Sequence, residues 1–171
     1  MSFTQTIDKH LNALCNNTQS KWVGSKYESI KKSPTTVKGD FGENLVVDLF
    51  KLIGRKVERI NKGKGDFDVI EALTSTKYEI KLATEDVNGN FQFNGIKKEI
   101  GYDFVICIGV SPNDLWFNVF PKSKCNQLTV SMVKDGNETY KLTASKSTSS
   151  CWHVKPLNNE ITFAMELEKY E

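Results

Sequence analysis

Two short stretches decide the fold. Residues 65–70 read Gly-Asp-Phe-Asp-Val-Ile, and residues 77–82 read Lys-Tyr-Glu-Ile-Lys-Leu. Only a short turn-forming segment separates them, so the pattern predicts two adjacent antiparallel strands. Successive side chains of a strand point to opposite faces, which puts Glu79 and Lys81 side by side on one face. The alternating apolar residues then face the core: Tyr78, Ile80 and Leu82.

This pairing brings Asp68 next to Glu79 and Lys81, so that two carboxylates and one ammonium meet on the sheet. Mg²⁺ binds proteins through one or two carboxylates and keeps several waters. A lysine beside such a metal orients or deprotonates a water whose pKa the metal lowers. The pattern therefore predicts a site for metal-dependent hydrolysis. The alternative interpretation is a solvent-facing Glu-Lys pair on an edge strand.

A helix is predicted upstream, from about Phe41 to Gly54, because apolar residues recur along one stripe. Asp40 suits its N-cap and Gly54 its C-terminal stop. Glu43 falls at the edge of the apolar stripe and is expected to face the sheet. It also suits a second role, as the partner of an Asp40 N-cap in the first turn.

The remaining pattern predicts the order of elements. A first helix is expected at residues 4–16, strands at 56–60, 67–73, 77–83, 103–110 and 115–120, and a short helix at 93–101. The fully apolar run 103–110 predicts the central strand. We therefore expect an α/β fold with a central mixed β-sheet flanked by helices, in αβββαβ order, and a β-rich C-terminal addition of strands and loops.

Length and composition bound the function. The 171 residues suit one domain. Residues 1–65 carry twelve Lys/Arg against six Asp/Glu, whereas residues 66–171 carry eleven against fifteen. Basic flanks around an acidic centre are typical of proteins that hold a polyanion near a metal. Two histidines disfavour zinc chemistry, and four scattered cysteines with no apolar leader predict reduced thiols, a cytoplasmic location and no membrane partner.

The sequence resembles the PD-(D/E)XK nuclease superfamily. The resemblance lies in residues 41–43, 65–70 and 78–82 and in a helix that ends at Gly54. That superfamily includes type II restriction endonucleases. The resemblance covers residues 38–110 and implies a restriction-endonuclease-like core. The implied reaction is phosphodiester hydrolysis that leaves a 5′-phosphate and a 3′-hydroxyl.

The resemblance also implies roles for individual residues. Asp68, Glu79 and the backbone carbonyl of Ile80 are expected to bind Mg²⁺, with Lys81 positioning the attacking water. Glu43 is expected to support the site directly or through water. The superfamily's proline is missing before Asp68, and Asp66 is the alternative metal ligand.

The predicted substrate is double-stranded DNA, cut at a short specific site by a restriction-type homodimer. The alternatives are a structure-specific repair or recombination nuclease and a non-catalytic DNA-binding domain of the same fold. We expect a single domain over residues 1–171, with an N-terminal helical extension (1–37), a catalytic core (38–120) and a C-terminal DNA-contact addition (121–171). The candidate DNA contacts are Lys62, Lys64, Gln92, Asn94, Lys122 and Lys124.

Overall fold

The computed structural model describes Gln5, Ile7 and residues 21–60, 66–99, 101–134 and 136–170. Most of the helix predicted at residues 4–16 lies outside this part of the chain. So do residues 61–65, which include Lys62 and Lys64.

Two β-sheets form the framework. The strands in chain order are β1 (Val57–Arg59), β2 (Val69–Glu71), β3 (Lys77–Thr84), β4 (Phe91–Ile96), β5 (Phe104–Val110), β6 (Leu115–Pro121), β7 (Ser131–Lys134), β8 (Asn137–Ala144) and β9 (Lys155–Pro156). The larger sheet has the order β1-β2-β3-β5-β6-β9, and the smaller one β4-β8-β7. In the larger sheet β3 and β5 pair in parallel, whereas the other neighbours pair antiparallel. The larger sheet is therefore mixed, as the sequence predicts.

Strands β3 and β5 form the centre of the larger sheet. Residues 105–110 are all buried, as expected for an apolar strand covered on both faces. The prediction of a central strand over residues 103–110 is thus confirmed. In the parallel register Glu79 lies opposite Val105, and Lys81 lies opposite Cys107.

The helices are α1 (Glu28–Lys32), α2 (Thr35–Leu52), α3 (Lys122–Cys125) and α4 (Glu160–Leu167), the last followed by a 3₁₀ turn (Glu168–Tyr170). The two longest, α2 and α4, pack on one face of this sheet, whereas Cys125 of α3 is buried on the other face. Helix α2 buries Val46, Leu49 and Phe50, whose spacing of three and four residues puts them on one side. A Cβ at Gly42 would lie 3.2 Å from the Cβ of Leu82, so glycine permits the close approach of α2 to β3. No helix in the described ranges is long and apolar enough to cross a membrane.

The ends of α2 agree only in part with the sequence prediction. Asp40 is not the N-cap, because the helix begins at Thr35 directly after Pro34, whose φ of −58° suits a helix start. The predicted stop at Gly54 is confirmed: its φ is +77°. The N–H of Gly54 donates to the carbonyl of Lys51 at 3.0 Å, and that of Arg55 to the carbonyl of Phe50 at 2.9 Å. These two bonds are those of a Schellman motif, in which a left-handed glycine closes the helix.

The short helix predicted at residues 93–101 is wrong, because this segment begins with strand β4. Phe91, Phe93 and Ile96 are fully buried, while Gln92 and Asn94 between them are exposed. That alternation has the period of a strand. The pairing with β8 shifts register between Phe93 and Ile96. The helix of the expected αβββαβ order is therefore replaced by a strand of the second sheet.

The larger sheet separates two apolar clusters. One lies on the helix side and includes Phe50, Tyr78, Ile80 and Phe163. The other lies between the two sheets and includes Ala83, Phe91, Phe93, Tyr102, Cys107 and Cys125. Because Glu79 and Lys81 have the strand parity of Ala83, they lie on the face that the smaller sheet covers.

The C-terminal tail contains a helix in addition to the predicted strands. The Oδ1 of Asn159 accepts a hydrogen bond from the N–H of Thr162 at 2.9 Å and so caps α4. Phe163 and Leu167 bury one side of α4, and the ring of Phe163 meets that of Phe50 edge-on at 5.3 Å. The tail therefore completes the helical layer as well as the second sheet.

Candidate active site

Asp68 lies directly before β2 and beside β3. Its N–H donates to the carbonyl of Tyr78 at 3.0 Å, and its carbonyl accepts from Ile60 at 2.8 Å. The Asp68 carboxylate then turns to β3, where Oδ2 accepts the N–H of Ile80 at 2.7 Å. The antiparallel pairing of β2 with β3 is confirmed by the register of Val69 opposite Tyr78.

Glu79 and Lys81 lie two residues apart in β3, so their side chains are on the same face of the sheet. The Nζ of Lys81 donates to Oε1 of Glu79, forming an ion pair along the strand. Glu79 is buried, with 7% of its surface exposed, so this carboxylate is not part of a solvated surface pair. The alternative of a solvent-facing pair on an edge strand is therefore wrong, since β3 is central.

Burial and neighbouring charge shift the pKa of both groups. Burial raises the pKa of Glu79, and the negative charge of Asp68 adds to this, while Lys81 opposes it. For Lys81, burial lowers the pKa, but the charges of Glu79 and Asp68 outweigh it and the pKa is raised. Lys81 therefore stays an ammonium at neutral pH, with N–H donors beyond the one that bonds to Glu79.

The site has the donor set that Mg²⁺ accepts. In a strand the N–H and C=O of one residue point to the same edge, so the Ile80 carbonyl is directed to the side of Asp68. Asp68 meets the backbone of Ile80 at the start of β2, and its charge acts on the Glu79 carboxylate. No group of three or more His, Cys, Asp or Glu side chains suited to a metal occurs in the described residues. Mg²⁺ does not need one, because it commonly binds through two carboxylates and waters.

Glu43 lies in the middle of α2 and is held by Arg59 of β1. The Nε of Arg59 donates to Oε2 of Glu43 at 2.7 Å, its Nη2 contacts Oδ1 of Asp40 at 2.8 Å, and its Nη1 contacts Oδ1 of Asn44 at 3.0 Å. A first-turn role for Glu43 is wrong, because the helix begins eight residues earlier. Its observed contacts join α2 to β1.

The two candidate aspartates differ in their surroundings. Asp66 is exposed, and its Cβ lies 4.0 Å from the position of a Cβ at Gly101. Asp68 is half-buried and bonded to the backbone of β3. The geometry brings Asp68, and not Asp66, to Glu79 and Lys81.

The four predicted DNA contacts within the described ranges lie on two separate elements. Gln92 and Asn94 point outward from β4, and Nε2 of Gln92 donates to Oδ2 of Asp86 at 3.0 Å. Lys122 and Lys124 lie on α3. The Nζ of Lys124 donates to the carbonyl of Cys151 at 2.5 Å, and that of Lys122 lies 5.3 Å from the centre of the Tyr102 ring.

Two further residues border the site, and the sequence does not identify them. The positive charge of Lys97, just after β4, acts on Glu79. Tyr102 lies two residues before β5 with 2% of its surface exposed. Its hydroxyl has no hydrogen-bond partner among the described residues. Neither has a signal in the sequence, because their proximity depends on how the second sheet packs.

Comparison of the sequence with protein-family models and with curated proteins gave no match. Among solved structures, that of a bacterial homing endonuclease, I-Ssp6803I, is similar, with a TM-score of 0.54. The likeness covers 80% of this chain and 95% of that chain, at 14% sequence identity. The described chain therefore shares the fold of that endonuclease.

Proposed function

We propose that this protein is a Mg²⁺-dependent endonuclease of the PD-(D/E)XK kind that hydrolyses phosphodiester bonds of double-stranded DNA. The observation that carries the proposal is the convergence of Asp68, Glu79 and Lys81 where β2 meets β3. A buried carboxylate beside a second carboxylate and an ammonium is costly without a ligand. A divalent cation and a phosphodiester supply the missing charges.

Each residue has a distinct task in this proposal. Asp68, Glu79 and the carbonyl of Ile80 would hold Mg²⁺, which supplies charge neutralisation and a water of lowered pKa. The ammonium of Lys81 orients the attacking water and faces the charge that develops on the phosphate. Hydrolysis forms a bond between the water oxygen and phosphorus and breaks the bond to O3′. The products are a 5′-phosphate and a 3′-hydroxyl.

Glu43 keeps its predicted supporting role in a modified form. Its direct partner is Arg59, so its influence on Asp68 passes through the position of β1 against α2. We therefore treat Glu43 as a residue that holds the helix at the edge of the site.

The fold similarity supports a nuclease, since the similar solved structure is that of an endonuclease. A type II restriction role, a homodimer that cuts both strands and a cytoplasmic location are further parts of the proposal. Symmetry supports the dimer, because the two antiparallel strands of a duplex are matched by a two-fold pair of active sites. Outward polar residues on β4, Gln92 and Asn94, have side chains suited to base edges, and Lys122 and Lys124 to phosphates.

The test is cleavage of plasmid and phage DNA with Mg²⁺, beside EDTA and a Lys81→Ala variant. We expect discrete fragments that vanish in EDTA and a rate at least about 100-fold lower in Lys81→Ala, the usual contribution of a residue that manages the proton of a nucleophile. Lys77→Ala is the matched control, because it removes a lysine from the start of the same strand whose Nζ lies over the Phe67 ring, 5.3 Å from its centre, whereas Glu79 is paired with Lys81.

The outcomes separate the candidate functions. Intact duplex with cleavage of a cruciform or flap would replace the restriction role by a structure-specific one. Binding of DNA without cleavage of any substrate would identify a non-catalytic domain. Equal losses in Lys81→Ala and Lys77→Ala would remove Lys81 from the active site.

A further inference from the structure

Tyr102 is fixed on the same side of the larger sheet as Glu79 and Lys81. It packs in the cluster between the two sheets, together with Val105 and Cys107. These two residues lie opposite Glu79 and Lys81 in the register of β3 with β5. The hydroxyl is close enough to this part of the sheet for the charge of Glu79 to act on it.

The backbone around Tyr102 is held rigidly against the strand of the site. The N–H of Asp103 donates to the carbonyl of Lys77 at 2.9 Å, and Oδ2 of Asp103 accepts the N–H of Lys77 at 2.8 Å. On its other side, Gly101 borders the segment that leads from Asp66 to Asp68. Tyr102 therefore lies just before β5, next to the start of β3 and close to the segment that leads to Asp68.

The hydroxyl of Tyr102 is unusual because it is buried without a partner. Among the described residues it is the buried side-chain polar atom that makes no hydrogen bond. A buried hydroxyl without a bond is destabilising relative to a phenylalanine of the same shape. Near the Glu79 carboxylate, such a hydroxyl is suited to donate to a group that binds to this carboxylate.

We propose that Tyr102 is a positioning residue of the Asp68–Glu79–Lys81 site, whose hydroxyl donates a hydrogen bond to a water held by Glu79 and the divalent cation. This inference rests on the proposed function, because it assigns a donor to the same site. Residues that orient the ligands of a metal commonly alter metal affinity or activity about 10- to 100-fold when they are removed.

The experiment compares Tyr102→Phe with Tyr170→Phe in the full chain. Tyr170 is a matched control, because its hydroxyl donates to the carbonyl of Val119 at 2.9 Å and its ring packs on Phe104. Three quantities are measured for each variant: the thermal unfolding midpoint, the affinity for Ca²⁺ by calorimetry, and the single-turnover rate of DNA cleavage with Mg²⁺.

We expect opposite patterns. Tyr102→Phe keeps or raises the unfolding midpoint, weakens Ca²⁺ binding about tenfold and slows cleavage by about the same factor. Tyr170→Phe lowers the midpoint, because a buried carbonyl loses its donor, and leaves Ca²⁺ affinity and rate unchanged.

Each other outcome overturns the inference in a recognisable way. Normal Ca²⁺ affinity and rate in Tyr102→Phe, with an active wild type, would overturn the role of Tyr102 alone. A clear fall in its unfolding midpoint would show that the hydroxyl has a partner within the fold. A wild type that neither binds Ca²⁺ nor cuts DNA would overturn the proposed function, and the role of Tyr102 with it.

Discussion

Glu79 and Lys81 form an ion pair on one strand. Burial has the larger effect on the pKa of Glu79, whereas neighbouring charges together have the larger effect on the pKa of Lys81. For the Glu79 carboxylate, burial raises the pKa by more than the charge of Lys81 lowers it, so the pKa is raised. Lys81 has two carboxylates as neighbours, and they more than offset its own burial. Lys81 thus retains its proton, and Glu79 is protonated at a higher pH than an ordinary glutamate.

This balance predicts the pH dependence of cation binding. A metal binds the ionised Glu79, and a raised pKa means that the neutral form persists to higher pH than for an ordinary glutamate. Ca²⁺ affinity should therefore fall as the pH is lowered, with the fall starting above the usual glutamate range. Calorimetric titrations between about pH 7.5 and pH 5 would measure it.

The control for this measurement is Glu79→Gln, which cannot ionise and should bind Ca²⁺ weakly at every pH. An affinity that stays constant down to the ordinary glutamate range would contradict a raised pKa. The same flat profile in both proteins would remove Glu79 from the cation site.

At the residue scale, spacing alone predicts the meeting of Asp68, Glu79 and Lys81, because strand alternation and a short turn fix which side chains adjoin. The spacing cannot predict that Arg59 forms a hydrogen bond and an ion pair with Glu43. That contact depends on where α2 crosses the sheet, and the sequence gives the crossing no local signal. The partnerless hydroxyl of Tyr102 is invisible for the same reason.

At the scale of elements, the contact between α2 and β1 depends on one guanidinium. Arg59 bonds to Asp40, Glu43 and Asn44, which lie on successive turns of α2. The pKa of Arg59 is raised by the hydrogen bonds that it donates to the carboxylates of Asp40 and Glu43. Half-buried networks of this kind are worth more than isolated surface pairs.

Arg59→Ala should therefore lower the free energy of unfolding by about 1–3 kcal/mol, because it leaves Glu43 without its partner. Lys51→Ala is the control, since the Lys51–Asp48 pair lies on the exposed side of the same helix and should change stability by less than about 0.5 kcal/mol. Urea unfolding followed by circular dichroism gives both values. Equal effects of the two substitutions would mean that Arg59 does not fasten the helix.

Strand β4 can approach β5 closely because residue 109 is a glycine, which has no side chain. A Cβ at Gly109 would lie 2.9 Å from two carbons of the Phe91 ring, which is fully buried between the sheets. Gly109→Ala should therefore destabilise the fold by about 1–3 kcal/mol through overpacking. Gly39→Ala should instead stabilise it by about 0.5–1 kcal/mol, since that helical glycine has open space around it.

Thermal unfolding of the two glycine variants measures this difference. A Gly109→Ala protein as stable as the wild type would mean that the Phe91 ring moves aside freely. The second sheet would then be loosely attached to the first.

The same segment explains the main failure of prediction at this scale. Residues 91–96 alternate between buried and exposed positions. Gly95, and the two lysines that follow Ile96, limit this alternation to a few residues. A strand so short is not distinguishable from the start of a helix by period alone. Its partner β8 lies more than forty residues away, at positions 137–144, so the pairing leaves no local mark.

At the scale of the whole molecule, three distant parts of the chain meet at Glu85, directly after β3. The carboxylate, 8% exposed, contacts Nζ of Lys21 at 3.2 Å and Nζ of Lys146 at 2.9 Å. Lys31 of α1 bonds to Oγ1 of Thr84 at 3.2 Å, and burial, followed by the charges of Lys38 and Lys21, lowers its pKa. One acid thus balances several lysines where the N-terminal segment and the C-terminal tail meet the strand of the site.

Glu85→Gln should therefore destabilise the whole fold, because the lysines remain close together without their counter-charge. We expect a loss of about 2 kcal/mol, or a thermal midpoint lower by about 4–8 °C. Added salt should narrow the difference from the wild type, since screening weakens the repulsion between Lys21, Lys31 and Lys146. Glu58→Gln, at an exposed position of β1, is the control and should leave the midpoint nearly unchanged. A midpoint for Glu85→Gln that matches this control at low salt would mean that the two ends of the chain are held to β3 by apolar packing and not by Glu85.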